Sequence, residues 1–297
     1  MKMVKSLRVC IETSGCAVNK AYSEILAGLL KEAGFQIVSD PDQADIIILN
    51  ACVIKKPTED KMIERAKKIS NLTGAKTIIA GCFAEVAWRK AKSKLGRDVP
   101  IVGIHHLLKI PDIIPKILKG ENVFLIGKED IIEPLLKPRI LNNPHIAVVP
   151  IAKGCLGACT YCIDKLIWGS LKSYPKEMIV EEVRNLVCSG VKEIRLSGQD
   201  TGPYGWDLGY TLGDLIRDIL KIEGEFILRI GMASPDTLMR IIDNVLDLLK
   251  KDHRIYRYLH IPVQSGSNRI LKLMNRKYTI EEFEELVQKI RSKVGPE

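Results

Sequence analysis

The sequence predicts an α/β protein in two parts: a doubly wound parallel sheet, then a partial βα barrel. Three observations predict it. Strand-length apolar runs alternate with helix-length amphipathic runs along the chain, the pattern of parallel strands joined by helical crossovers. Residues 127–146 interrupt that alternation with Pro134, Pro138 and Pro144 and the turn signal Asn142-Asn143-Pro144. The length, 297 residues, suits two cores at about 150 residues per domain. The expected boundaries are 1–128 for the first domain, 129–145 for a linker and 146–297 for the second domain.

Each element has its own signal. Leu7–Thr13 reads as a strand with Leu7, Val9 and Ile11 on one face and Arg8, Cys10 and Glu12 on the other. Ala21–Ala33 reads as a helix with Ile25, Leu26, Leu29 and Leu30 on one side and Gly34 as its stop. Asp45–Asn50 contains Ile46-Ile47-Ile48-Leu49, the mark of a strand buried on both faces. Pro57 fits the first turn of a helix running to about Asn71. Thr77–Gly81, Ile101–Ile104 and Val123–Ile126 are further strands, with a helix from Pro111 between the last two. In the second part the strands expected are Ile146–Ala152, Glu193–Ser197, Phe226–Gly231 and Tyr258–Val263. Helices are expected at 176–189, 212–221, 236–250, 266–274 and 279–292, a βα series of barrel type.

Hydrophobic residues make up 46% of the chain and charged residues 27%, which excludes a wholly disordered or collagen-like protein. No apolar run approaches the roughly 18 residues of a membrane span. The basic start Met1–Arg8 is not followed by a long apolar stretch. A membrane partner is therefore not expected, nor a secretory leader, and the cytoplasm is the expected location. The net charge is +9, and it is uneven. Residues 1–140 hold 23 Lys and Arg against 16 Asp and Glu, and the remainder is close to balanced. A basic first half suits a polyanion such as RNA, or is simply a solvated surface.

The cysteines point further. Cys155, Cys159 and Cys162 follow a strand in one short loop, with Gly154 and Gly157 among them. Three thiolates so placed can hold three irons of a cubane iron–sulfur cluster and leave the fourth iron open to a small molecule. The other readings are a helix burying three cysteines on one face, or a zinc site. The nearest histidine, His145, lies before the strand and does not complete four ligands. Cys16, Cys52 and Cys82 each stand just past a predicted strand. In a parallel sheet those carboxyl ends share the ligand-binding edge, so the three thiolates can converge. They can equally be three buried small residues, and the pattern alone leaves both readings open. Cys10 and Cys188 read as packing residues.

The run Cys155-Leu156-Gly157-Ala158-Cys159-Thr160-Tyr161-Cys162 resembles the loop of the radical S-adenosylmethionine (SAM) enzymes. Thr13–Asn19 around Cys16, Asn50-Ala51-Cys52-Val53 and Gly81-Cys82-Phe83-Ala84-Glu85 resemble the N-terminal signatures of the radical SAM methylthiotransferases. The resemblance implies two [4Fe–4S] clusters. Cys155, Cys159 and Cys162 would hold the one that binds SAM, and Cys16, Cys52 and Cys82 an auxiliary one. It implies no catalytic residue beyond these ligands. Three later stretches extend it: Leu196–Gly209, Arg229–Pro235 and Tyr258–Gly266. Through them the resemblance implies that Tyr161, Gly198, Gln199, Asp200, Arg229, Ser234 and Gln264 line the SAM site. Gln199, Asp200 and Ser234 also read as helix caps, His260 as a core histidine, and Tyr174 and Pro175 as structural residues.

The loop Asp200–Gly209 and Lys55-Lys56-Pro57-Thr58-Glu59 after Cys52 are most similar to the archaeal and eukaryotic branch, which acts on N6-threonylcarbamoyladenosine in tRNA. What that implies is a sulfur-group transferase that places methylthio on C2 of the adenine beside the anticodon. Its partners would be tRNA and an electron donor protein, and DNA is not one of them. Sister branches act on isopentenyladenosine in tRNA or on a ribosomal protein. The resemblance runs to Val294–Glu297, where the family goes on to further βα units and a C-terminal RNA-binding β-domain, so an incomplete barrel is expected. Trp168 stands where the family has Arg, and Asp164 is a further departure. A non-catalytic iron–sulfur relative is the alternative of another class.

Overall fold

The computed structural model describes residues 6–53, 56–72, 74–128 and 133–295. Close contacts group the chain into two compact units that meet at Asn142 and Asn143.

The first unit is built on a sheet of six parallel strands. In chain order its elements are β1 (Arg8–Ser14), α1 (Ala17–Glu32), β2 (Gln36–Val38), β3 (Ile46–Ala51), α2 (Lys56–Leu72), β4 (Lys76–Gly81), α3 (Cys82–Leu95), β5 (Ile101–Gly103), α4 (Ile110–Leu118) and β6 (Phe124–Leu125). The strand order is β2-β1-β3-β4-β5-β6, with Val9 opposite Ile46 and Ile46 opposite Lys76. The chain therefore leaves β1 in one direction and returns to β3 in the other. The crevice at such a reversal, beyond the carboxyl ends of the strands, is where doubly wound sheets bind ligands. Ile46, Ile47, Ile48 and Leu49 are fully buried, as a central strand covered by helices on both faces requires. Cys10 packs with Ile47, Leu49 and Phe83 in the core, and burial pushes its thiol up to about 11.

Two departures from expectation matter for the site. Helix α1 starts at Ala17 rather than Ala21, because Cys16 is already its extended N-cap (φ −73°, ψ 177°). Helix α3, which the sequence pattern did not mark, springs from β4 without a loop. Gly81 makes that corner with φ +85° and ψ −158°, a conformation essentially confined to glycine.

The second unit contains β7 (Ile146–Pro150), β8 (Ala152–Lys153), α5 (Asp164–Trp168), β9 (Lys172–Ser173), α6 (Lys176–Cys188), β10 (Glu193–Ser197), α7 (Leu212–Ile219), β11 (Ile227–Arg229), α8 (Pro235–Met239), α9 (Ile242–Lys251), α10 (Asn268–Leu273) and α11 (Ile280–Val294). Strands β7, β10 and β11 form a parallel sheet in the order β11-β10-β7, and β8 and β9 form a small antiparallel pair. Cys188 is exposed at the end of α6. The strand expected at Tyr258–Val263 is not formed. Pairing next to β11 is confined to a bridge between Leu228 and Ile255. The chain then turns tightly, with the Tyr258 N–H on Tyr256 O, and Pro262 has no N–H for a ladder. The helix expected over 236–250 is two, because Ile241 leaves helical geometry (φ −122°, ψ −2°). Among the described residues no helix is long and apolar enough to cross a membrane.

Candidate functional site

In the first unit Asn19, in the first turn of α1, joins two of the predicted thiols. Its Oδ1 lies 3.6 Å from Cys82 Sγ and 4.0 Å from Cys16 Sγ. Cys52 adjoins them: a Cβ on Gly15 would stand 2.9 Å from Cys52 Cβ and 2.7 Å from Asn19 Nδ2. Cys16, Cys52 and Cys82 therefore converge at the carboxyl edge of β1, β3 and β4. Cys52 and Cys82 are buried and Cys16 is exposed. Cys16 is the N-cap of α1 and Cys82 the first residue of α3. The N–H groups at those helix starts favour negative charge.

A polar frame fixes this arrangement. Asn50, at the end of β3, donates from Nδ2 to Asn19 O (3.0 Å) and Ser23 Oγ (2.8 Å). Ser23 Oγ also accepts from Thr13 Oγ1 at 2.7 Å. Two buried atoms of the frame have no hydrogen-bond partner, Asn19 Nδ2 and Asn50 Oδ1. A Cβ on Gly81 would lie 2.1 Å from Asn50 Oδ1. Lys55 of the Lys55–Glu59 stretch lies outside the described residues, as do the side chains of the other four.

In the second unit Cys155, Cys159 and Cys162 carry free, partly exposed thiols on the loop after β8. A Cβ on Gly157 would stand 3.3 Å from Cys155 Sγ and 3.7 Å from Cys159 Sγ, so the missing side chain leaves a cradle between two thiols. The loop enters through Gly154, at φ +77°, where a Cβ would overlap Ser170 O at 2.0 Å. Gly154 N–H donates to Gln199 Oε1 (2.8 Å) and Lys165 Nζ to Cys155 O (2.7 Å). From the far side Asn275 Nδ2 donates to Ala158 O at 2.8 Å, and Thr160 Oγ1 to Leu273 O at 3.0 Å. Burial pushes the Cys155 thiol up to about 11, against the pull of the Gly157 N–H. Burial also raises Cys159, partly offset by the Arg276 guanidinium. Each set offers three thiols. Among the described residues no three His, Cys, Asp or Glu are gathered for one metal ion. A cubane asks for a different spacing, with one thiolate on each iron, and the donor chemistry and the glycine cradle fit it.

The remaining predicted residues fall into two groups. Tyr161 is exposed, and its OH accepts from Arg276 Nη2 (2.6 Å). Ser234 Oγ accepts from Arg276 Nη1 (3.2 Å) and donates to Asp236 Oδ1 (2.6 Å). Gln264 is exposed at φ +67°, and Arg229 lies with its guanidinium 4.7 Å from the Tyr258 ring centre. These can meet a ligand. Asp200 cannot do so as placed. It is 2% exposed, and its oxygens accept from Gly202 N, Ser234 N and Thr237 Oγ1 at 3.0–3.2 Å. It braces the loops that carry Ser234, and burial raises its carboxyl. Gln199 is a brace too, and Gly198 leaves ordinary contact distances around it. His260 is exposed rather than a core residue. Trp168 is buried at the end of α5, and burial pushes the Asp164 carboxyl up. The sequence pattern missed Arg276, which ties Tyr161 to Ser234. No local signal marks an arginine so far along the chain from both partners.

The pattern of the Radical SAM superfamily matches residues 149–296, and that of an uncharacterised protein family, UPF0004, matches residues 8–103. A Pyrococcus abyssi protein named probable threonylcarbamoyladenosine tRNA methylthiotransferase is 40% identical over 289 residues, 97% of this chain and 67% of that protein. The Drosophila melanogaster threonylcarbamoyladenosine tRNA methylthiotransferase is 34% identical over 97% of this chain and 52% of its own length. A Thermotoga petrophila tRNA-2-methylthio-N(6)-dimethylallyladenosine synthase is 36% identical over 97% of this chain and 65% of its own. Among solved structures, the radical SAM methyltransferase TsrM of Kitasatospora setae superposes with a TM-score of 0.65 at 13% identity, over 97% of this chain and 68% of that one. That likeness is one of fold.

Proposed function

Since this chain belongs to the family of the threonylcarbamoyladenosine tRNA methylthiotransferases, we propose that it methylthiolates tRNA at C2 of N6-threonylcarbamoyladenosine beside the anticodon. The observation that carries the reading is the pair of thiol triads, one at the carboxyl edge of the parallel strands β1, β3 and β4 and one on the loop after β8. Cys155, Cys159 and Cys162 would hold the cluster that binds SAM, and Cys16, Cys52 and Cys82 the auxiliary cluster. When bound, these groups supply an electron to cleave SAM and a sulfur to carry to the base.

The chain's own part is to bind, orient and shield. Gly154, Gln199 and Lys165 hold the cysteine loop by its backbone. The Arg276 guanidinium keeps Tyr161 and Ser234 together and would offer the SAM carboxylate a cation. Arg229, Ser234, Tyr161 and Gln264 would meet SAM, with Gln199 and Asp200 setting the loops from behind. An unpaired anticodon-loop adenosine is the accessible target, because its C2 edge is not enclosed in a helix. The basic first half supports an RNA partner. A cytoplasmic setting and a separate electron donor complete the proposal.

The test is anaerobic reconstitution followed by turnover. About eight irons per chain are expected for two four-iron clusters. With SAM, a reductant and an anticodon stem-loop bearing threonylcarbamoyladenosine, the nucleoside should gain the mass of a methylthio group less one hydrogen. Full iron with modification of an isopentenyladenosine stem-loop instead would move the chain to the sister branch. Full iron with SAM never cleaved would leave a non-catalytic iron–sulfur protein.

A further inference from the structure

We propose that the side-chain amide of Asn19 is a positioning group for the auxiliary cluster, donating N–H hydrogen bonds to the Cys16 and Cys82 thiolates and holding that cluster's reduction potential up. The proposal rests on the reading that Cys16, Cys52 and Cys82 bind a cluster.

Three observations carry it. Asn19 has no solvent exposure, and its backbone is clamped by Asn50 Nδ2. The residue therefore cannot withdraw from the thiols. Its Oδ1 faces both Cys82 Sγ and Cys16 Sγ, the orientation that lets an S–H donate to the amide. Its Nδ2, with two N–H donors, is buried without a partner.

A thiolate on iron offers only lone pairs. Facing two of them, the amide oxygen is the wrong atom and the amide nitrogen the right one. A half-turn about the Cβ–Cγ bond exchanges the two atoms at almost no cost in shape. It gives the orphaned Nδ2 two acceptors, one for each N–H. Position 15 leaves room for the amide: a Cβ there would stand 2.7 Å from Nδ2, and glycine has none. Hydrogen bonds to cluster sulfurs and thiolates stabilise the more negative, reduced state and so raise the potential.

The experiment uses the full chain with Cys155→Ala, Cys159→Ala and Cys162→Ala, so that the auxiliary cluster is observed alone. Its midpoint is read by redox titration followed by electron paramagnetic resonance, with Asn19 intact, as Asn19→Asp and as Asn19→Leu. Aspartate keeps the shape and loses the donors. At the midpoint of the Asn19 protein, the ratio of reduced to oxidised cluster should be at least about tenfold lower in both variants, a shift of about 59 mV for one electron. Aspartate should shift further, because its carboxylate adds charge. Variants that load iron fully and keep the midpoint overturn the role of Asn19 and leave the cluster in place. Failure of the Asn19-intact chain to load any iron overturns the cluster reading itself. A second measurement does not depend on the variants folding. Asparagine labelled with 15N at the side-chain amide should show a hyperfine coupling to the reduced cluster, and its absence overturns the proposal.

Discussion

Replacing Gly81 with alanine should separate the two halves of the first unit's ligand edge. The backbone at Gly81 sits at φ +85°, ψ −158°, which costs a non-glycine residue about 1–3 kcal/mol. The new Cβ would also lie 2.1 Å from Asn50 Oδ1 and 3.0 Å from Ala51 O. Asn50 has to move, and it then gives up its hydrogen bonds to Asn19 O and Ser23 Oγ, worth about 1 kcal/mol each. Together these amount to about 3–5 kcal/mol. Gly120→Ala is the control within the same unit: φ is +81°, but nothing lies within 4 Å of the added Cβ. It should cost only the left-handed backbone, about 1–2 kcal/mol. Scanning calorimetry of the iron-free chain reads the difference. At about 2–4 °C per kcal/mol, Gly81→Ala should lower the transition of the first unit by several degrees more than Gly120→Ala does. Iron loading on the auxiliary site should fall with it, because Cys82 follows directly. Equal shifts for the two variants would refute the argument that Asn50 and Gly81 are packed against each other.

Other perturbations have distinct signatures. Asp200→Asn should stay within about 1 kcal/mol of the parent, because the amide oxygen can keep the Gly202 and Ser234 donors, whereas Asp200→Ala leaves both unpaired and should cost about 2–4 kcal/mol in urea unfolding. Since burial raises the Asp200 carboxyl above its ordinary value of 3.8, the folded state binds that proton more tightly than the unfolded chain. Its contribution to stability is lost as pH rises from 3.8 through the folded value, and Asp200→Asn should lack that slope in a pH series of melts. Arg276→Lys offers one ammonium for the two partners Tyr161 and Ser234. SAM affinity by equilibrium dialysis should fall about tenfold, the worth of one charge-assisted hydrogen bond, and an unchanged affinity would remove Arg276 from the site. Cys155→Ala with Cys159→Ala and Cys162→Ala should lower reconstituted iron from about eight to about four per chain, and retention of all of it would show that the two triads are not separate sites.

Much of this could be read from residue types. The run Ile46–Leu49 announces a strand covered on both faces, and the positions of Cys16, Cys52 and Cys82 after apolar runs put them on one sheet edge before any coordinates. What could not be read depends on tertiary contact or on short segments. Strand β2, Gln36–Val38, is too brief for a period of two to register. Helix α3 begins on Cys82 itself because Gly81 turns the chain in one residue, which a search for capping residues does not anticipate. Tyr258–Val263 has the apolar alternation of a strand, but Pro262 and the turn at Tyr256 keep it out of the sheet. Asp200 reads equally well as a ligand or a cap, and only its burial under Gly202, Ser234 and Thr237 decides that it is a brace.

The two thiol sets also differ in when they come into being. Cys155, Cys159 and Cys162 lie within a single turn of chain, so a newly made polypeptide carries that donor set as soon as the loop is synthesised. Cys16, Cys52 and Cys82 come from three successive crossovers and meet only once β1, β3 and β4 have paired and closed the intervening loops. Iron offered to an unfolded chain would find the first set close together in sequence and the second set dispersed. A cluster at the sheet edge would thus be gated by folding and need a finished domain, whereas the loop set needs no such assembly.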